Sequence, residues 1–421
     1  MRILLLNTTD INGGAARAAY RLHQGLNGIG VQSQMLVQEK FSSDTMVQAP
    51  GNRVEQGIAR GRISFDALPL KCYSQTRKAN FSLQWLPERI ALQVTNLNPD
   101  VINIHWTGSA FLRWETLTKF KQPVVWTLHD MGAFTGGCFY AHDCRGYTAS
   151  CGKCPQLGSH RERDLSRWVW RRKAKAWQNL DLTVVSPSGW LAKCAGESSL
   201  FGDVTIKVIP NGVDINKYQP ITKSVARELL GLAQDKHIIM FGSLNATSDR
   251  RKGFHLLQPA LQNLSQAGWG DKAQVVVFGA SQGSNSLELG FKTDYLGTLK
   301  DDLSLALAYS AADVFVLPSL QENLANTVME ALACGTPCVA FDIGGMPDMI
   351  DHKANGYLVK PLQVEDLAAG IAWVLDNPER RKKLSDNARE KVIQEFTQEI
   401  QANRYLRLFE EIKNQEKGGK Q

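Results

Sequence analysis

Short apolar runs separated by polar loops recur along the whole chain. RILLL at 2–6, VINI at 101–104 and the stretches 32–37, 123–128 and 182–185 are each too short for a helix and nearly continuous in apolar residues. Runs of that kind suit parallel strands covered on both faces. After the first run, TTDINGGAARAAYRLHQGL passes through Gly13–Gly14 into an amphipathic helical pattern from about Ala15, the strand, glycine loop and helix that open a doubly wound unit. Pro210 and Gly212 then mark a connection. Beyond it the alternation repeats, with strands near 238–242, 274–278, 314–317, 338–341 and 357–359 and a helical period in DDLSLALAYSAAD at 301–313. Past about 395, FTQEIQANRYLRLFEEIKNQ predicts an amphipathic helix and EKGGKQ a frayed end. Residues 40–98 show no clear period. The pattern predicts an α/β chain of two Rossmann-like domains, residues 1–200 and 201–395, and a terminal helix and tail at 396–421.

Composition narrows the class. A chain of 421 residues with 43% hydrophobic residues can bury two cores. No apolar run approaches the roughly 18 residues of a membrane span, and MRILLLN reads as a strand because Asn7 and Asp10 follow it at once. The expected location is cytoplasmic, with the eight cysteines reduced. A net charge of +7 permits contact with an anionic substrate or with the inner face of a membrane, and does not require nucleic acid.

The stretch SLQENLANTVMEALACGTPCVA at 319–340 concentrates candidate chemistry. It predicts a loop after a buried strand, then a helix and another strand, with Gly335 at the helix C-terminus and Pro337 beyond it. Asn323 and Asn326 are candidate caps, and the helix start offers backbone N–H groups to a phosphate. Glu322 on the loop and Glu330 in the helix are placed to accept hydroxyls of a ribose and of a second sugar at the carboxyl ends of parallel strands. The plain alternative is two solvated glutamates on a helical surface. His129 follows VVWTL and Asp130 stands ready to orient it; His105–Trp106 holds the equivalent place one strand earlier, either as packing or as part of an acceptor wall.

Cys138, Cys144, Cys151 and Cys154 crowd a glycine-rich segment and close on a Cys-x-x-Cys. That composition fits a small structural zinc knot, with free thiols or a redox pair at 151/154 as alternatives. Residues 161–180 predict a helix with Leu165, Val169, Trp170, Ala176, Trp177 and Leu180 on one arc and Arg161, Arg167, Arg171, Arg172 and Lys175 on the other. Such a helix suits either peripheral membrane contact or ordinary packing with a solvated basic face.

Glu322 and Glu330 with their seven-residue spacing, Pro318–Ser319, the EALACGTPCVAF run and Gly344–Gly345 resemble the C-terminal signature of retaining, nucleotide-sugar-dependent glycosyltransferases of family 4 with the GT-B fold. Gly13–Gly14, the Thr-Leu-His-Asp of 127–130, the Ser-Pro-Ser of 186–188, the Pro-Asn-Gly-Val-Asp of 210–214 and the Arg-Lys-Gly of 251–253 follow in that family's order. The resemblance implies two Rossmann-like domains facing across a cleft, a C-terminal helix crossing back to the first, and transfer from a nucleoside-diphosphate sugar to a saccharide or lipid-linked saccharide in cell-surface or exopolysaccharide synthesis. It implies catalytic roles for His129, Glu322 and Lys252 and donor contacts from Gly13, Gly14, Arg251, Asn323, Leu324, Asn326 and Glu330, with no catalytic metal. One departure is Ser243, where many members carry an arginine that clamps the diphosphate; the burden then falls on Lys252 and Arg251. Rival readings are a sugar-nucleotide epimerase or phosphorylase on the same fold, and a non-catalytic module that binds zinc or nucleic acid.

Overall fold

The computed structural model describes residues 1–51, 53–73, 81–243, 249–280 and 289–418. Two units emerge: Met1–Pro210 with Gln401–Gln421, and Asn211–Ile400.

The first unit holds a seven-stranded sheet of β1 (Arg2–Thr9), β2 (Gln32–Glu39), β3 (Val47–Gln48), β4 (Val101–Ile104), β5 (Val124–Thr127), β6 (Leu182–Ser186) and β7 (Thr205–Val208), in the order β3-β2-β1-β4-β5-β6-β7. Neighbouring strands pair in parallel throughout. Successive side chains alternate between two cores: Leu4, Leu6, Ile102, Ile104, Val124 and Trp126 enter one, while Ile3, Leu5, Val101, Val125 and Val185 enter the other. Both faces are therefore apolar, which is why these strands read as continuous runs. The helix Gln398–Gly418 supplies Ala402, Tyr405, Leu408 and Phe409 to the second of these cores, and the Tyr405 hydroxyl meets Thr127 Oγ1 at 2.9 Å.

The second unit repeats the winding with β8 (His237–Gly242), β9 (Ala273–Phe278), β10 (Lys292–Gly297), β11 (Val314–Leu317), β12 (Cys338–Phe341) and β13 (Gly356–Val359), in the order β10-β9-β8-β11-β12-β13. In each sheet the chain first builds outward one way and then reverses. The reversal falls between β1 and β4 in the first unit and between β8 and β11 in the second. Open α/β sheets bind ligands at such switch points, beyond the carboxyl ends of the strands.

Several expectations need correction. The first unit extends through Pro210, past the expected limit at 200, because β7 completes its sheet against β6. The region without a legible period holds the helices Arg53–Asp66 and Ile90–Leu97. The helix expected over 161–180 is confined to Leu165–Trp177, started by Asp164, whose carboxylate accepts from Arg167 N at 3.1 Å. Its basic side is not wholly solvated. Arg172 pairs with Glu115 and donates to the carbonyls of Leu83 and Gln84, and Arg167 donates to Cys151 O. Among the described residues no helix is long and apolar enough to cross a membrane. The tail end at 419–421 and the loop 244–248 after Ser243 lie outside the described residues.

Candidate functional site

At the β8/β11 reversal, two loops lock together and gather three charged side chains. The short turn Arg250–Lys252 ends on Gly253, held at φ 75°, where an added Cβ would collide with the carbonyl oxygen of Pro318. Only glycine takes that conformation at so close an approach. Leu320 N donates to Arg251 O at 2.8 Å, closing the contact. On the other side Gly344, at φ 55°, leaves no room for a Cβ against the carbonyl oxygen of Glu322, and Gly345 N donates to that oxygen at 3.3 Å. The backbone of Glu322 is thus gripped from both sides.

Its side chain is held as firmly. Glu322 Oε2 accepts from Lys252 Nζ at 2.8 Å, Arg251 Nη1 at 3.1 Å and Ser319 Oγ at 3.4 Å. Burial alone would raise the carboxyl's pKa; the charges of Lys252 and then Arg251 overcome it and hold the group at about 2. Arg251 is anchored further by donating to Gln321 O at 3.0 Å. The residues expected to clamp a diphosphate and the residue expected to meet the sugar therefore form one ion triad.

Glu330 is buried rather than solvated. It sits on the helix Asn326–Ala333, is 3% exposed, and its Oε2 accepts from the Tyr309 hydroxyl at 3.0 Å. That places it beneath the loop rather than on an open surface. The helix begins after Ala325, which has no side chain able to cap it. Asn323 is buried on the loop, and Leu324 belongs to the core. Gly335, at φ 72°, follows the helix as its sequence position suggests. Ser243, at the end of β8, is buried, and its hydroxyl has no hydrogen-bond partner among the described residues.

The first unit carries uncharged groups at its reversal. Gly13 precedes the helix Gly14–Gly28 at φ 101°, a conformation that favours glycine although no atom crowds it. Beyond β4 and β5, His105 Nδ1 meets His129 Nε2 at 2.9 Å, and the two rings stack at a centroid distance of 5.2 Å. Burial lowers the pKa of both, that of His129 to about 4, and the neighbouring His129 ring further disfavours charge on His105. Both are neutral at pH 7. Asp130, expected to orient His129, accepts from Trp106 Nε1 at 2.9 Å and Gly132 N at 2.7 Å. With Trp114, Trp126 and Phe139 these residues line a small cavity. His105 as the ring partner of His129 was not legible in the sequence; its position directly after VINI was the available signal.

The four clustered cysteines also converge. Cys138, Cys144, Cys151 and Cys154 line a second cavity of about 20 Å³ in the same unit, and all are free thiols. Among the described residues no three His, Cys, Asp or Glu side chains already stand as a finished metal-ligand set.

Comparison with known proteins covers both units. The profile described as Glycosyltransferase Family 4 matches residues 12–217, and the one described as Glycosyl transferases group 1 matches residues 227–391. A D-inositol 3-phosphate glycosyltransferase of Geodermatophilus obscurus is 33% identical over 303 residues, 69% of this chain and 62% of that protein. One from Saccharomonospora viridis is 30% identical over 306 residues, 69% of this chain and 65% of its own. The chain thus matches under two thirds of the length of these curated relatives. Among solved structures, sucrose-phosphate synthase from Thermosynechococcus elongatus superposes with a TM-score of 0.68 at 20% identity, covering 98% of each chain. Anabaena HepE in complex with UDP and glucose gives 0.65 at 17% identity, covering 97% of this chain and 99% of that one. These likenesses identify the fold as GT-B.

Proposed function

The chain belongs to the family 4, group 1 glycosyltransferases, and from that premise we propose that it moves a glycosyl unit from a nucleoside-diphosphate sugar to an acceptor hydroxyl, with retention at the anomeric carbon. The observation that carries this reading is the Glu322–Arg251–Lys252 triad at the β8/β11 switch point. A departing diphosphate gathers negative charge as the glycosidic bond breaks. Two cations already fixed beside the site stabilise that charge without reorganising at the moment of reaction. The start of the helix at Asn326 adds backbone N–H groups and the positive end of its dipole.

Glu322 has a double part. Its Oε2 holds Arg251 and Lys252 in place, and its Oε1 accepts a hydroxyl of the transferred sugar; with its pKa held at about 2 it remains a pure acceptor at working pH. Glu330, steadied by Tyr309, accepts the ribose hydroxyls. Retention follows if a leaving-phosphate oxygen takes the acceptor's proton on the face from which the phosphate departs. The aromatic-walled pocket of His129 in the first unit suits an acceptor saccharide, whose hydroxyls pair with the neutral rings and the Asp130 carboxylate and whose apolar faces stack on rings.

Anabaena HepE carries UDP and glucose in its structure, which supports a uridine nucleotide as donor here. An acceptor in cell-surface or exopolysaccharide synthesis accords with WaaG, a glycosyltransferase involved in lipopolysaccharide biosynthesis that shares the fold at a TM-score of 0.60. The test is a panel of nucleoside-diphosphate sugars, read by melting temperature and by slow release of nucleoside diphosphate. One donor should raise the melting temperature and be hydrolysed, and its product in the presence of acceptor should keep the donor's anomeric configuration by NMR. If no nucleotide sugar is bound or turned over, the reading fails.

A further inference from the structure

We propose that Cys138, Cys144, Cys151 and Cys154 bind one zinc ion as a tetrahedral tetrathiolate that pins the wall of the His129 pocket. The four thiols line one cavity of about 20 Å³, space for a single water-sized body, and none is used in a disulfide.

The backbone around them is arranged for thiolates. Gly136 N donates to Cys151 Sγ at 3.2 Å and Gly146 N to Cys144 Sγ at 3.4 Å, and the N–H groups of Gln156 and Leu157 point at the Cys154 sulfur. Three of the four sulfurs thus receive backbone donors. A thiol is a weak acceptor, whereas a metal-bound thiolate carries the charge that such donors suit. Gly146 leaves space between two of them: a Cβ there would stand 3.4 Å from Cys144 Sγ and 4.0 Å from Cys151 Sγ. The turn at Cys151, Gly152 and Lys153 keeps three consecutive residues at positive φ, 53°, 96° and 44°. Backbone strain of that kind persists where surroundings over-determine it.

Charge balance points the same way. Lys173 is fully buried beside Cys138 and Cys151. Its ammonium donates to the carbonyls of Gly132 and Thr135 and lies 4.0 Å from the centroid of the Trp114 ring, and Asp130 is the carboxylate whose charge reaches it. A tetrathiolate zinc centre carries two negative charges, so a buried cation beside it offsets part of their desolvation cost. Binding takes Zn²⁺ and four thiols to the tetrathiolate and releases four protons. As they stand, the four side chains are not placed to hold an ion, so capture requires them to change rotamer.

The site serves the neighbouring pocket. Gly132, Ala133 and Phe139 line the His129 cavity, and Phe139 O, next to Cys138, accepts from Met131 N at 2.9 Å. Fixing Cys138 therefore fixes that wall.

The decisive experiment is elemental analysis of the full chain, expressed without a histidine tag and freed of loose metal on a chelating resin. About one zinc per chain is expected. Titration with an organomercurial should release it, and Co²⁺ exchange should give the absorption of a tetrahedral cobalt thiolate. Cys144→Ser and Cys151→Ser should each lose the metal, while Cys334→Ser in the second unit should keep it. If the serine variants fail to fold, the wild-type stoichiometry and the mercurial release still decide. Zinc well under half an equivalent, iron in its place, or disulfides among these four cysteines in non-reducing mass spectra would overturn the proposal.

Discussion

At the β8/β11 reversal three charged side chains meet within 3.1 Å, while beyond β4 and β5 two histidines stack with both rings uncharged. The two sheets wind in the same order through their first six strands, so the difference lies in the loops grafted on the winding. One reversal concentrates fixed charge and suits a ligand that arrives or departs as an anion. The other carries no fixed cation in its lining, sets two neutral rings beside the Asp130 carboxylate, and suits hydroxyls. The same topology thus supplies two kinds of site, and the side chains at the strand ends decide which.

The sharpest way to break that contrast is to remove charge from the second unit. Glu322→Gln and Lys252→Ala are each expected to lower turnover by about a hundredfold or more, as loss of a charge contact at a departing group typically does. Steady-state rates with a saturating donor measure it. Arg250→Ala, at a position with no part in the triad, should stay near the parent rate. Near-parent rates for both triad variants would mean that the diphosphate is neutralised elsewhere.

Next in size is the scaffold beneath the triad. Gly253→Ala forces a side chain into a left-handed position against Pro318 O and is expected to cost about 2–3 kcal/mol, the upper range for a single strained site. Thermal unfolding would show it. A comparable substitution at Gly13, at φ 101° and ψ 164° with no atom within 4 Å of an added Cβ, carries only the cost of the backbone conformation, about 1–3 kcal/mol.

The two regions should also part company in acid. His129 titrates near 6.5 when unfolded and about 4 when folded, so the unfolded chain binds the extra proton between those values. Stability from the neutral ring is fully present above about 6.5 and is lost as pH falls toward 4. Glu322 moves from 4.5 to about 2, so its contribution is complete above 4.5 and lost only as pH falls toward 2. Hydrogen exchange at pH 7 and pH 5 should therefore show protection falling around 101–139 while 314–345 holds. Equal loss in both segments would erase the distinction.

How far the sequence reveals these regions depends on the range of the contacts. VINI, VFVL and CVAF are buried at every position, so their strand character is written in the residues themselves. β10, KTDYLG, has no apolar run to mark it, because it lies at the edge of its sheet with every residue at least partly exposed. Residues Glu322, Lys252 and His129 were identifiable as site candidates from motif and strand-end position. Their partners were not. Lys252 reaches Glu322 across 70 residues, Glu330 reaches Tyr309 across 21, and His105 reaches His129 across 24. Nothing local marks such pairings, and for the same reason Arg172 could pass as a solvated cation.

The smallest expected effect concerns Ser243, where a charged clamp is absent from the second unit. Its hydroxyl is buried without a partner among the described residues. Truncating a group that makes no bond to the described residues forfeits none of their hydrogen bonds and relieves a buried polar atom, so Ser243→Ala should leave stability unchanged or improve it by up to about 1 kcal/mol. On turnover, the argument turns on which group carries the diphosphate. If Lys252 and Arg251 bear it, the serine adds one neutral hydrogen bond at most, and its loss costs roughly 0.5–1.5 kcal/mol, an effect of about tenfold or less. If the orphaned hydroxyl is instead aimed at a phosphate oxygen as the main contact, Ser243→Ala should approach the hundredfold loss expected for Lys252→Ala. Measuring kcat and KM for both variants and for the double variant separates the cases. Additive effects with a small serine contribution would place the charge burden on the triad, whereas a double variant no worse than Ser243→Ala alone would show that the lysine acts only through the serine and that the triad is chiefly a scaffold.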